Sequence, residues 1–158
     1  MMSAPDSTQQ ILATIPLLRH LNPRQIARLA DLMVRHQYRE GTTIVRQGDT
    51  SMSFYVVTEG RVRILRTPED GREITLAEFG PGGFFGEMGL IDDVERAATV
   101  IALEPTECAL LAKWDFQNAL RDDPEIALAL LPVLNQRIRE LDDMLESLSP
   151  HPTREAVV

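Results

Sequence analysis

Phe84-Phe85-Gly86-Glu87-Met88-Gly89-Leu90, followed at short range by Arg96-Ala97-Ala98-Thr99-Val100, sets glycines, one acid and one arginine inside a mainly apolar run. Gly86 permits backbone conformations and a closeness of approach that a Cβ would block, so main-chain N–H groups can turn towards an oxyanion. If residues 86–90 open a short helix, its unpaired N–H groups and positive dipole end favour a phosphate. Arg96 lies far enough along the chain for a loop to fold back and present its guanidinium to the same anion as a bidentate donor. Glu87 cannot favour a phosphate directly; the chemistry open to it is accepting hydrogen bonds from sugar hydroxyls, as acidic side chains do for ribose. Singly, a loop Glu and Arg make a solvated pair worth little, and a glycine turn is only a turn. Together, at this spacing, they read as an anion-and-sugar pocket.

Around this stretch the chain is organised as helices, then strands, then helices. Turn signals at Glu40-Gly41, Gly48-Asp49, Glu59-Gly60, Asp70-Gly71 and Gly80-Pro81-Gly82-Gly83 separate short segments rich in Val, Ile, Thr, Phe and Tyr. Their spacing of about ten residues predicts an antiparallel sandwich or jelly roll. Residues 53–58 and 61–67 read as one hairpin about Glu59-Gly60, and 61–67 with 72–79 as a second about Asp70-Gly71. The last strands fall at 97–103 and 106–111. Before the strands, residues 9–14 form a short apolar segment stopped at Pro16. Asn22 and Pro23 then start a helix in which Ile26, Leu29, Ala30 and Met33 recur at helical spacing. The expected division is an N-terminal tail over 1–8, one domain over 9–148 (helices 9–33, β jelly roll 34–112, helices 113–148) and a C-terminal tail over 149–158.

Helix returns at 114–120 and at about 124–148, where Asp123 is placed to cap, Pro124 takes the first position and Glu125 the first turn. Pro132 is expected to kink or restart this helix. Leu131, Leu134, Ile138, Leu141, Leu145 and Leu148 alternate in steps of three and four, the spacing of a coiled-coil seam. Such a stripe either packs on its own barrel or pairs in parallel with a second copy.

Composition narrows the function classes. The chain has 158 residues, 44% of them hydrophobic, enough for one domain with a real core. Its formal net charge of −8 offers no overall attraction to a polyanion, so neither nucleic acid nor an anionic membrane is an expected partner. The single Cys108, in an apolar run, reads as a small buried hydrophobe and cannot form an internal disulfide. No stretch approaches the ~18 apolar residues of a membrane helix, and residues 1–8 lack the features of a signal peptide; a reducing, cytoplasmic setting is expected. His20, His36 and His151 are scattered, so no metal site is expected, and no nucleophile or acid–base pair with an orienting partner suggests an enzyme.

The run Gly86-Glu87-Met88-Gly89-Leu90-Ile91-Asp92-Asp93-Val94-Glu95-Arg96-Ala97-Ala98-Thr99-Val100 closely resembles the phosphate-binding cassette of cyclic nucleotide-binding domains. Protein kinase A regulatory subunits, catabolite activator proteins and cyclic nucleotide-gated channels carry such domains. The resemblance extends over roughly residues 11–148. It implies that Glu87 holds the ribose 2′-hydroxyl, that Arg96 holds the cyclic phosphate, and that the Phe85, Gly86, Met88, Gly89, Ala97 and Ala98 region completes the cage. By strand alternation Val62, Ile64 and Leu76 are candidates for the apolar walls around the base. In catabolite activators the final helix both dimerises and closes over the purine. That places Leu141 as a cap on the base, Asp142 as an acceptor for an adenine amino group and Arg137 one turn earlier; equally, Arg137, Asp142 and Asp143 can be a solvated helix face. Ala97 lacks the hydroxyl that Thr or Ser often supplies to guanine, so the implied ligand is cAMP, with cGMP weaker.

The resulting expectation is a stand-alone, non-enzymatic cAMP sensor without a helix-turn-helix. It would homodimerise through its C-terminal helix and pass its signal to an unidentified protein partner by moving that helix. A nucleotide-independent dimerising scaffold, a regulatory fragment of a larger channel or enzyme, and a cyclic dinucleotide receptor are the alternatives.

Overall fold

The computed structural model describes residues 7–148. The expected tails, with His151, lie outside the described residues apart from Ser7 and Thr8, which fall in the first helix. In chain order the elements are α1 (Ser7–Thr14), a 3-10 turn (Pro16–Leu18), α2 (Pro23–Leu32), β1 (Val34–Tyr38), β2 (Thr43–Val45), β3 (Ser53–Glu59), β4 (Val62–Arg66), β5 (Ile74–Phe79) and β6 (Phe84–Phe85). A second 3-10 turn (Glu87–Leu90), β7 (Thr99–Ala102), β8 (Thr106–Ala112), α3 (Lys113–Asp122) and α4 (Pro124–Leu148) complete it. The strands form two antiparallel four-stranded sheets, ordered β1-β8-β3-β6 and β2-β7-β4-β5: the jelly roll with flanking helices expected from the turn spacing.

One expected hairpin is absent. β3 pairs with β6 and β8, whereas β4 pairs with β5 and β7, so the chain changes sheets at Glu59-Gly60 instead of folding back on itself. Gly60 makes the crossing possible: its φ is +90°, and a Cβ there would stand 2.5 Å from the Pro105 carbonyl oxygen. The second hairpin forms as expected, with Val62 opposite Phe79 and Ile64 opposite Ala77.

β3 explains why two cores exist. Phe54, Tyr55, Val56 and Val57 are consecutive and all buried, the mark of a strand covered on both faces. Phe54 and Val56 face a helical core with Leu12, Ile15, Leu29, Leu111, Phe116 and Ile126. Tyr55 and Val57 face the space between the sheets with Val62, Phe85, Val100 and Cys108. Burial pushes the Cys108 thiol up to about 12, so it remains a protonated packing group. Leu90, from the second 3-10 turn, belongs to the helical core. That turn is therefore gripped by the helices on one side while its other side faces the barrel.

The helices start where local chemistry dictates. Asn22 and Gln25 form a reciprocal capping box at α2: the Asn22 side chain accepts from the Gln25 N–H at 2.9 Å, and the Gln25 side chain accepts from the Asn22 N–H at 3.0 Å. Asp123 accepts from the Glu125 N–H at 3.2 Å, as a cap of α4 should, and also from Gln25 Nε2 at 3.3 Å, tying the two helix starts together. Of the kink or restart expected at Pro132, the restart does not occur; α4 is one helix from Pro124 to Leu148. Pro132 removes one backbone donor, while Ile126, Leu130 and Val133 bury the face that holds the helix on the domain. Beyond Leu134 that support falls away. Leu131, Ile138, Leu141, Leu145 and Leu148 are each more than half exposed, and only Leu134 of the seam packs against the helical core. Packing within the domain thus accounts for Leu134 and not for the rest of the stripe.

Candidate functional site

Gly86 adopts φ +83° immediately before the 3-10 turn Glu87–Leu90. A Cβ at this position would stand 2.2 Å from Arg96 Nη1, so only glycine lets the guanidinium approach the turn. Arg96 is 9% exposed. Its Nη2 donates to the Ser53 carbonyl oxygen at 2.7 Å and its guanidinium carbon lies 5.4 Å from the centre of the Tyr55 ring. The backbone of Arg96 is strapped on both sides: its N–H donates to Asp49 O at 2.7 Å and its carbonyl accepts from Gly48 N–H at 2.9 Å. Burial lowers the arginine's pKa, opposed by Tyr55, yet a guanidinium stays charged at any working pH. Among the described residues no carboxylate forms an ion pair with it.

This buried cation borders a cavity of about 250 Å³ whose lining includes Phe85, Gly86, Glu87, Met88, Gly89, Arg96, Ala97 and Ala98. Val45, Ile64 and Val100 supply its apolar wall and Ser51 its remaining hydroxyl. Ser51 is 2% exposed and its Oγ has no hydrogen-bond partner among the described residues. A Cβ on Gly89 would stand 1.9 Å from that oxygen, so Gly89 yields the space that Ser51 occupies. The arrangement is one cation, glycine-rich backbone, two acids (Glu87 on the turn and Glu95 beside Arg96) and an aliphatic wall: chemistry for a compact anion joined to a polar ring and an apolar plane.

The cyclic nucleotide-binding domain family matches residues 35–123, which include the whole cassette and both sheets from Arg35 onward. The chain belongs to the cyclic nucleotide-binding domain family. A cyclic AMP receptor protein of Thermus thermophilus is 39% identical over 90% of this chain and 66% of its own length. The cGMP-dependent protein kinase, isozyme 1, of Drosophila melanogaster is 34% identical over 74% of this chain. This chain thus spans just under two thirds of the first relative and 16% of the second. Among solved structures, the N-terminal domain of a transcriptional regulator from Streptomyces coelicolor A3(2) superposes with a TM-score of 0.77 at 38% identity, covering 84% of this chain and 95% of that one.

Within this cyclic nucleotide-binding domain, Val62 and Leu76 do not line the cavity. Val62 is fully buried in the core between the sheets. Leu76 is 47% exposed on an edge strand, at a register shift: Ala77 stands opposite Ile64 and Thr75 opposite Leu65, leaving Leu76 as the extra residue between them. Ile64, two residues beyond Val62, is the strand residue that reaches the cavity. Val45, Ser51 and Val100 join it from β2, the β2–β3 connection and β7, and Tyr55 supports Arg96 from β3; Val100 closes the cassette run, whereas nothing local in the sequence marks Val45, Ser51 or Tyr55.

Arg137 and Leu141 border a second cavity, of about 280 Å³, between the first 3-10 turn, Phe84 and α4. Glu87 and Met88 line both cavities, so the cassette turn is the partition between them. Arg137 Nη1 donates to the Met88 sulfur at 3.7 Å. Asp142 borders neither cavity. A wider surface groove of about 770 Å³ lies at the α2 and α3–α4 junction, lined by His20, Arg28 and Asp122 among others. There Arg28 and Asp122 pair at 2.8 Å on exposed side chains, and nothing in the groove matches the buried, uncompensated Arg96. No His, Cys, Asp or Glu group among the described residues is arranged to hold a metal ion, and no described helix is long and apolar enough to cross a membrane.

Proposed function

We propose that this domain is a cAMP-binding regulatory module in which Arg96 holds the cyclic phosphate, Glu87 the ribose 2′-hydroxyl, and Val45, Ile64 and Val100 the base. The observation that carries it is the Arg96 guanidinium: buried, charged, without a carboxylate partner, and set against a left-handed glycine and a cavity. A buried charge is tolerated when paired, and a phosphate at this position is the pairing that the cassette backbone also favours. The 39% identity to a protein named for cyclic AMP supports the adenine nucleotide, and Ala97, which has no hydroxyl for a guanine amino group, supports it from within the pocket. The module acts as a sensor and not as an enzyme. The second cavity gives α4 its part: Arg137 and Leu141 face the partition turn, so a ligand that moves the turn changes what α4 packs against. Nucleotide controls the output to the extent that it binds one helix arrangement more tightly than the other. The exposed stripe of α4 joins two copies, and the buried thiol of Cys108 suits a reducing, cytoplasmic location.

Calorimetric titration of cAMP into the parent and into Arg96→Leu tests this. The parent should bind, and the variant should lose at least about ten-fold in affinity, because charge-assisted hydrogen bonds are worth roughly 1.5–3 kcal/mol each. Equal binding by both would place the site elsewhere. The same exposed stripe favours a second reading, a dimerising scaffold indifferent to nucleotide, and a parent that yields no heat with cAMP would select it.

A further inference from the structure

Lys113 is the first residue of α3, and its side chain is only 10% exposed although it carries an ammonium group. Its Nζ pairs with Asp93 Oδ1, on a carboxylate that is 87% exposed. Asp93 stands in the run of five exposed residues, 91–95, that separates the cassette turn from Arg96. The main-chain N–H of Lys113 donates to Met52 O at 3.0 Å; one residue before Met52, the Ser51 N–H donates to Val94 O at 2.8 Å. Three segments distant in sequence thus meet at one junction: the β2–β3 connection, the segment that ends in Arg96, and the start of the helical unit.

The two ends of the Lys113–Asp93 pair differ. A carboxylate in water loses little on leaving its partner, whereas an ammonium under protein cover that loses its counter-charge is strongly disfavoured. A displacement of Asp93 therefore leaves Lys113 two outcomes: to follow it, moving the first turn of α3, or to be stranded. We propose that Lys113 is a positioning residue for the cassette, anchoring the 91–95 segment, and through it Arg96, to α3, so that displacement of the segment is passed along α3 to the Asp123 junction and α4. The anchoring stands on the ion pair and its burial; that the displacing event is nucleotide binding rests on the function proposed above.

The test is amide hydrogen exchange on the full chain without ligand, comparing the parent with Asp93→Asn and Lys113→Met. Asp93→Asn removes the charge from the exposed side, where folding is least at risk, and Lys113→Met keeps the aliphatic stem. Both should speed exchange about three- to ten-fold in two separate places, residues 91–96 and α3, because local opening at each would no longer be held by the other. Raising the salt to about 1 M, where the Debye length is roughly 3 Å, should move the parent towards the variants and leave the variants unchanged. Lys113→Arg should behave as the parent. If Asp93→Asn alters exchange at 91–96 alone and α3 remains as in the parent, the pair is a local contact and the coupling is overturned. A cAMP titration of the same proteins keeps the two ideas apart. A parent that binds no cAMP removes the proposed function while the exchange result still decides the anchoring. A parent that binds cAMP should show about three- to ten-fold weaker binding in Asp93→Asn.

Discussion

At the scale of single residues, the lining of the cassette cavity contains one group that the fold leaves at a disadvantage. The Ser51 hydroxyl is buried against Gly89 with no hydrogen-bond partner among the described residues. An unsatisfied buried hydroxyl costs roughly 1–3 kcal/mol, so Ser51→Ala should raise the thermal unfolding midpoint by several degrees, read by calorimetry. A lower midpoint would mean that the hydroxyl is satisfied after all. Ala97 bears on the base. A guanine amino group left against apolar surface without an acceptor is disfavoured by a similar roughly 1–3 kcal/mol, so cAMP should bind about ten- to a hundred-fold more tightly than cGMP. Ala97→Thr should narrow that ratio by improving cGMP. Competition titrations measure both affinities; a parent that prefers cGMP, or a ratio that the substitution leaves untouched, would assign the preference to α4. Ala97 could be read for this role from its position after Arg96, whereas Ser51 could not, because its significance exists only where the β2–β3 connection passes beneath Gly89.

At the scale of elements, β1 and β3 carry tyrosines whose ionisation opposes folding. Burial is the main cause that raises the Tyr38 phenol to about 12, and burial also raises Tyr55, where the Arg96 charge works in the opposite direction. A folded-state pKa above the unfolded value of about 10 means that the neutral form is favoured by the fold. The resulting stability is fully present below about pH 10 and is lost as the pH rises from there to about 12. Urea midpoints followed by far-UV circular dichroism should fall across that window, and Tyr38→Phe should flatten the fall. A parent and variant with the same slope would remove Tyr38 from the account. Elements also show where local reading fails. The pair of apolar segments around Glu59-Gly60 has the composition of a hairpin, but β3 is buried on both faces between β8 and β6 and has no edge left for β4. Turn chemistry reports that the chain reverses; it does not report which sheet the next strand joins.

At the scale of the whole molecule, the apolar stripe along the second half of α4 stays exposed in the described chain. Leu141 and Leu145 are each more than half exposed, as is Ile138 between them and Leu134. Burying this stripe against a second copy is worth roughly 25 cal/mol per Å² of apolar surface removed from water. Sedimentation should therefore show a dimer for the parent, and Ile138→Glu, which sets a charge in the seam, should yield monomers. A parent that stays monomeric at high concentration, with and without cAMP, would leave the stripe to another partner. If the parent's profile changes on adding cAMP, the helix and the cassette are coupled.

The sequence by itself determined the parts of this protein that depend on neighbours along the chain. The helix starts at Asn22 and Asp123, the turn glycines, the cassette from Gly86 to Val100 and the heptad stripe of α4 all act over a few residues, where capping, backbone freedom and side-chain period are local properties. Only the tertiary structure decided what those parts face. It kept Ile64 in the apolar wall but replaced Val62 and Leu76 with Val45 and Val100, made Glu87 and Met88 a partition between two cavities, and joined Lys113 to Asp93. The physical reason is sequence separation. Val45, Ile64 and Val100 meet because two sheets close over one core, and that closure is governed by the total apolar surface buried, not by the identity of any one residue's neighbours in sequence.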